Sequence, residues 1–152
     1  VVLSEVELYK NKDLISSKNS KLKIQNNIIS RIDAGKTFST LKQELNITGT
    51  IAFKDSSNNS LSANTKIKSS NKVTITSGNT TQTYTLSVLG DIKSDGEIGI
   101  NDLSKLYRGL KGKVTLNNIE IASGDISNDG AIGINDVSKL YRYVRGIITS
   151  LD

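Results

Sequence analysis

Gly90–Arg108 reads GDIKSDGEIGINDLSKLYR, and Gly124–Arg142 reads GDISNDGAIGINDVSKLYR. The 19 positions align at an offset of 34, and only four differ: 93/127, 94/128, 97/131 and 103/137. An internal repeat this close means one supersecondary unit used twice. In each copy apolar residues fall at i, i+3, i+4 and i+7: Leu103, Leu106, Tyr107 and Leu110, then Val137, Leu140, Tyr141 and Val144. That spacing predicts an amphipathic helix with one apolar face. Gly112 and Gly146 follow the last periodic residues, where a helix end is expected. Between the copies Thr115 can cap a short helix over residues 116–122.

Ahead of each helix lies a loop of acidic spacing. Asp91, Asp95, Gly96 and Asp102 stand at positions 1, 5, 6 and 12, and Asp125, Asp129, Gly130 and Asp136 repeat them. Calcium takes about six to eight oxygens, and a loop of this length supplies them from positions 1, 3, 5, 7 (through its carbonyl), 9 and 12. The candidate ligands are therefore Asp91, Asp95, Glu97 and Asp102 in the first loop, and Asp125, Ser127, Asp129, Ala131 and Asp136 in the second. Glycine at position 6 allows the sharp turn around the ion. Ile98 and Ile132, at position 8, can pin the paired loops together. An Asp-Gly turn leading to an Asp-capped helix would explain one such loop. Two of them, each with the same helix behind it, favour calcium.

Both loops depart from the ideal. Position 9 is Gly99 and Gly133, so water must fill in. Position 3 is Ser127 in the second loop, which has an oxygen to offer, but Lys93 in the first, which does not. Two outcomes are open for the first loop: weakened calcium, or a Lys93 ammonium that itself neutralises Asp91, Asp95 and Asp102. The second loop is expected to bind calcium more tightly.

The rest of the composition narrows the field. The 152 residues contain no Cys, His, Met, Trp or Pro. Disulfides and thiolate sites are thereby excluded, and zinc loses its usual ligands. Residues 1–89 carry 12 − 6 = +6 and residues 90–152 carry 8 − 9 = −1. The lysines are scattered with few aromatics between them, which is a solvated surface rather than a nucleic-acid footprint. No apolar run approaches the roughly 20 residues that cross a bilayer. No basic-plus-apolar leader opens the chain, so an export signal is expected to have been removed or to lie outside it.

The twice-repeated pattern over 90–152 resembles a dockerin, the module that plugs a secreted protein into a cohesin on a scaffold or cell surface. The resemblance implies two F-hand units, calcium as the cofactor, a cohesin as the partner, and a secreted or surface-attached home, in a Gram-positive-type bacterium. It implies recognition positions at 10 and 11 of each loop and at 17 and 18 on each helix: Ile100, Asn101, Tyr107 and Arg108, then Ile134, Asn135, Tyr141 and Arg142. Ile-Asn in place of the common Ser-Thr suggests a more apolar contact. Identical sets in the two halves suggest a partner that could bind either half after a 180° rotation. Tyr107 and Tyr141 fit core packing as well as contact. Ile100 and Ile134 fit either a minor core or docking anchors.

The first 89 residues read differently. Strands are expected over 21–32, 48–53, 72–76 and 81–89, a helix over 38–45, a polar loop over 55–62, and an extra strand or linker over 1–20. The expected fold class is a small α+β or sandwich-like sheet domain with one helix, over 21–89, followed by an all-α dockerin over 90–152 with repeats at 90–112 and 124–146. The first part loosely resembles the accessory, X-like domains that precede dockerins. Glu5, Glu7, Asp13, Asp33, Glu44 and Asp55 are scattered, and no catalytic constellation emerges. Three functions compete: a docking adaptor, a calcium-stabilised structural or adhesion module without a cohesin partner, and a hydrolase fragment, which the lack of His and Cys disfavours.

Overall fold

A computed structural model describes residues 13–152. The extra strand or linker expected over 1–20 lies in part outside the described residues, as do Glu5 and Glu7. Within them, β1 (Ile15–Ser17) pairs antiparallel with β4 (Leu45–Ile47) in a two-stranded ribbon. The main sheet has five strands in the order β2 (Lys23–Gln25), β3 (Ile28–Ile32), β7 (Thr80–Val88), β6 (Lys72–Ser77) and β5 (Thr50–Lys54). β3 and β7 run parallel, and the other neighbours are antiparallel.

Among the described residues of this half there is one helix, α1 (Phe38–Gln43). Thr37 starts it, its hydroxyl accepting from the Thr40 amide. Phe38 and Leu41 point into the core beside Ile29, Ile32, Val73, Ile75, Leu86 and Val88. Phe38 also stacks on Phe53 with ring centroids 4.8 Å apart. Leu45, expected to close the helix, instead begins β4.

The C-terminal half carries α2 (Ile100–Leu110), α3 (Asn118–Gly124) and α4 (Ile134–Val144). Leu103, Leu106, Val137 and Leu140 meet Leu89, Ile92, Ile126 and Leu151 in a second core. Asn117 caps α3, its side chain accepting from the Glu120 amide while Glu120 accepts the Asn117 amide.

The expected fold class needs correction. Among the described residues no sandwich forms, since they make one mixed sheet with a ribbon beside it. The strand expected over 21–32 is two short strands, because Asn26 and Asn27 take φ of 55° and 61° and turn the chain back. Nor does an all-α module simply follow the sheet. The helix α3 packs on β7 and β3, and the Leu89 amide donates to the Ile32 carbonyl at 2.8 Å. That contact explains why β7 alternates at its start and is buried on both faces at its end.

Candidate metal loops and docking face

The two loops fold alike because their repeated residues impose the same turns. Ser94 and Asn128, at position 4, take φ of 59° and 61°. Gly96 and Gly130, at position 6, take 82° and 87°, a region where an L side chain is strained. Position 12 then ties loop to helix. Asp102 accepts the Lys93 amide on Oδ1 at 2.9 Å and the Gly99 amide on Oδ2 at 2.8 Å. Asp136 accepts those of Ser127 and Gly133, both at 2.8 Å. Each thus closes the loop and satisfies an orphan amide at its helix start.

Asp91, Asp95 and Asp102 bring one carboxylate oxygen each to within 4.8 Å of the others, and Asp125, Asp129 and Asp136 do the same. In each trio the first and last residues are buried and the middle one is exposed. Hard oxygen donors converging on one point from a 12-residue loop fit a calcium-sized cation. Burial pushes the Asp91 carboxyl above its ordinary pKa, although amides of Ser69, Gly96 and Asp95 pull the other way. Burial raises Asp102 as well, and the charges of Asp91 and Asp95 add to it. Asp129 is held below the usual range, chiefly by the Ala131 amide. Like charges gathered this closely oppose folding unless a cation offsets them.

Other predicted ligands are placed less centrally. The Glu97 side chain is exposed and its Oε1 lies 2.7 Å from Lys66 Nζ, so only its carbonyl is free to face the loop. Ala131 has only a carbonyl to offer. Ser127 helps hold Asp129 below the usual carboxylate range. Lys93 is exposed and pairs with no carboxylate among the described residues. Of the two outcomes left open for it, neutralisation of the acidic trio is not what the structure holds.

The helices present a second feature. Ile100, Leu103, Ser104 and Tyr107 of α2 face Ile134, Val137, Ser138 and Tyr141 of α4 across an apolar groove of about 380 Å³. Ile100 and Ile134 are 64% and 65% exposed, and Tyr107 and Tyr141 are 47% and 45% exposed. Core packing for the tyrosines is therefore overturned. Leu106 and Leu140 are wholly buried in their stead. Asn101, Arg108, Asn135 and Arg142 are exposed but do not line the groove.

Reading the sequence missed Leu103, Ser104, Val137 and Ser138 as lining residues. They belong to a second i, i+3, i+4, i+7 set, starting at Ile100 and Ile134, which overlaps the core-facing one. It also missed Lys111 and Arg145, each 5.7 Å from the ring centroid of Tyr107 and Tyr141 respectively.

Among solved structures, a type I cohesin–dockerin complex from Clostridium thermocellum is similar, with 26% identity over 42% of this chain and 94% of the matched chain, at a TM-score of 0.40. A complex of the third ScaC cohesin with a ScaB dockerin from Acetivibrio cellulolyticus, mutated from Ile-Asn to Ser-Ile in its N-terminal helix, gives 25% identity, 41% and 88% coverage, and a TM-score of 0.39. The sixth cohesin of scaffoldin B from the same organism, with a doubly mutated dockerin, gives 29%, 42% and 98%, and 0.40. No curated protein matches the chain. The family model of the dockerin type I domain matches residues 89–145. These residues hold both acidic loops and all three C-terminal helices. Residues 89–145 of this chain are a dockerin type I domain.

Proposed function

We propose that this chain is a non-catalytic docking adaptor. Its dockerin domain, within 90–152, binds one calcium ion in each loop and presents the groove between α2 and α4 to a cohesin. The protein that carries it is thereby attached, outside the cell, to a scaffold or cell surface. Residues 21–89 form the accessory sheet unit.

The observation that carries this reading is the pair of exposed isoleucine–tyrosine sets, at equivalent positions of the two repeats, that line one groove. Exposed aliphatic and aromatic side chains gathered around a groove mark an interaction surface. Calcium supports the face indirectly, because Asp102 and Asp136 end the loops and start the helices that bear it. Ligand binding to the folded state alone at about 100 times its dissociation constant would add roughly 2.7 kcal/mol of stability.

The test is substitution of both anchors. Ile100→Asp combined with Ile134→Asp should abolish cohesin capture while calcium binding, followed by calorimetry, persists. Capture unchanged in the double variant would remove the groove from the interface.

A further inference from the structure

The two loops share a backbone path, yet the sheet unit holds them by different parts. Asp91 Oδ2 accepts from the Ser69 amide at 2.9 Å and the Gly96 amide at 3.0 Å, and Oδ1 from the Asp95 amide at 3.0 Å. Its counterpart Asp125 accepts from Gly130 at 2.9 Å and from Asp129 at 3.2 Å, both within its own loop. The extra donor at Asp91 comes from a turn outside the repeat.

That turn meets the first loop at several points. Ser70 Oγ lies 3.1 Å from Ser94 Oγ at position 4, and Lys66 Nζ lies 2.7 Å from Glu97 Oε1 at position 7. A Cβ placed on Gly96 would stand 3.1 Å from Lys68 Cγ. The turn is itself fixed. Asn71 Oδ1 accepts the Lys68 amide, and the buried Ser69 hydroxyl accepts the Val88 amide at 2.9 Å. On the second loop the sheet's hold is Arg31, which donates to the carbonyls of Asp125 at 3.0 Å and Ile126 at 3.2 Å. Arg31 grips backbone at the loop's mouth and leaves the Asp125 carboxylate to the loop's own amides.

We infer that the turn over residues 66–71 is a working part of the first metal loop. Ser69 is a positioning residue: its amide holds Asp91 in ion-binding orientation when no ion is present, whereas Asp125 is oriented by the amides of its own loop. A donor set in place before the ligand arrives avoids the ordering cost of binding. This offsets in part the effect of Lys93, which leaves the first loop one ligand short. Loss of calcium then opens the groove from the Ile134 and Tyr141 side first. The inference deepens the calcium reading above and rests on it.

Amide exchange followed by NMR on the full chain separates the two. In the metal-free chain, Asp95 and Gly96 should show protection about tenfold or more above Asp129 and Gly130, the effect of one hydrogen bond to a charged acceptor. Equal protection in the two loops overturns the bracing. Calcium should then protect the second loop more than the first; if neither loop responds, the calcium reading falls while the metal-free comparison still decides the bracing. Ser69→Pro, which deletes the amide donor, should weaken calcium at the first loop about tenfold and spare the second. Ser69→Ala keeps the amide but loses the hydroxyl that takes the Val88 amide, so it should weaken the first loop less than the proline variant does; an equal loss counts against the inference. Equal losses at both loops in the proline variant, or none, count against the inference. Should the proline variant misfold, exchange in the unaltered chain remains decisive.

Discussion

Ser87 Oγ on β7 lies 2.7 Å from Ser123 Oγ on α3, and Ser69 Oγ lies 3.1 Å from the same Ser123 oxygen. All three serines are buried. Hydroxyls withdrawn from water must bond to one another or lose their hydration without return. The sheet and the helices therefore share a polar seam as well as apolar contact. Ser123→Ala removes the shared partner and should cost about 1–3 kcal/mol. Denaturant unfolding of the calcium-loaded chain, followed by far-UV dichroism and by tyrosine fluorescence, should give one coincident transition that shifts in the variant. Two separated transitions would mean that the seam does not join the halves.

The second core is built from equivalent positions of the two repeats. Leu106 and Leu140 are both fully buried, each on the inner face of its helix. Leu106→Ala and Leu140→Ala should destabilise by about 2–5 kcal/mol. Their costs should resemble one another, which chemical denaturation of the two variants would check.

Loop occupancy should be unequal. Lys93 stands at a ligand position without an oxygen, while Ser127 occupies the equivalent place. Calorimetry should therefore find tighter calcium at the second loop, with a greater loss of affinity from Asp125→Ala than from Asp91→Ala. Lys93→Asn supplies the missing oxygen and should raise first-loop affinity. A greater loss from Asp91→Ala would reverse the order.

The groove tyrosines separate stability from recognition. Because Tyr107 and Tyr141 are about half exposed, their replacement by alanine should change stability by no more than about 0.5 kcal/mol. Cohesin affinity should fall by about tenfold or more for the pair. Thermal unfolding and surface plasmon resonance on the double variant would measure both.

The repeat made the loops and both long helices legible, because 3.6-residue periodicity and liganding spacing are local patterns. The same periodicity left core packing and contact open for Tyr107 and Tyr141. On each helix two apolar sets overlap at Leu103 and Val137, and spacing alone does not tell which one faces inward. The break between β2 and β3 did carry a signal, the Asn26-Asn27 pair, which tolerates positive φ. The parallel pairing of Ile29 with Leu86 did not, since strands this far apart in sequence pair through tertiary packing rather than through any local pattern. The Ser69 amide on Asp91 was invisible for the same reason: any residue but proline carries that donor.

Capture of a cohesin by the full chain, in calcium and again after chelation, bears on all of this at once. Binding in calcium that chelation abolishes and fresh calcium restores is the predicted result. Capture that survives complete removal of calcium, or a chain that binds calcium yet retains no cohesin, would contradict calcium-dependent docking through the α2–α4 face.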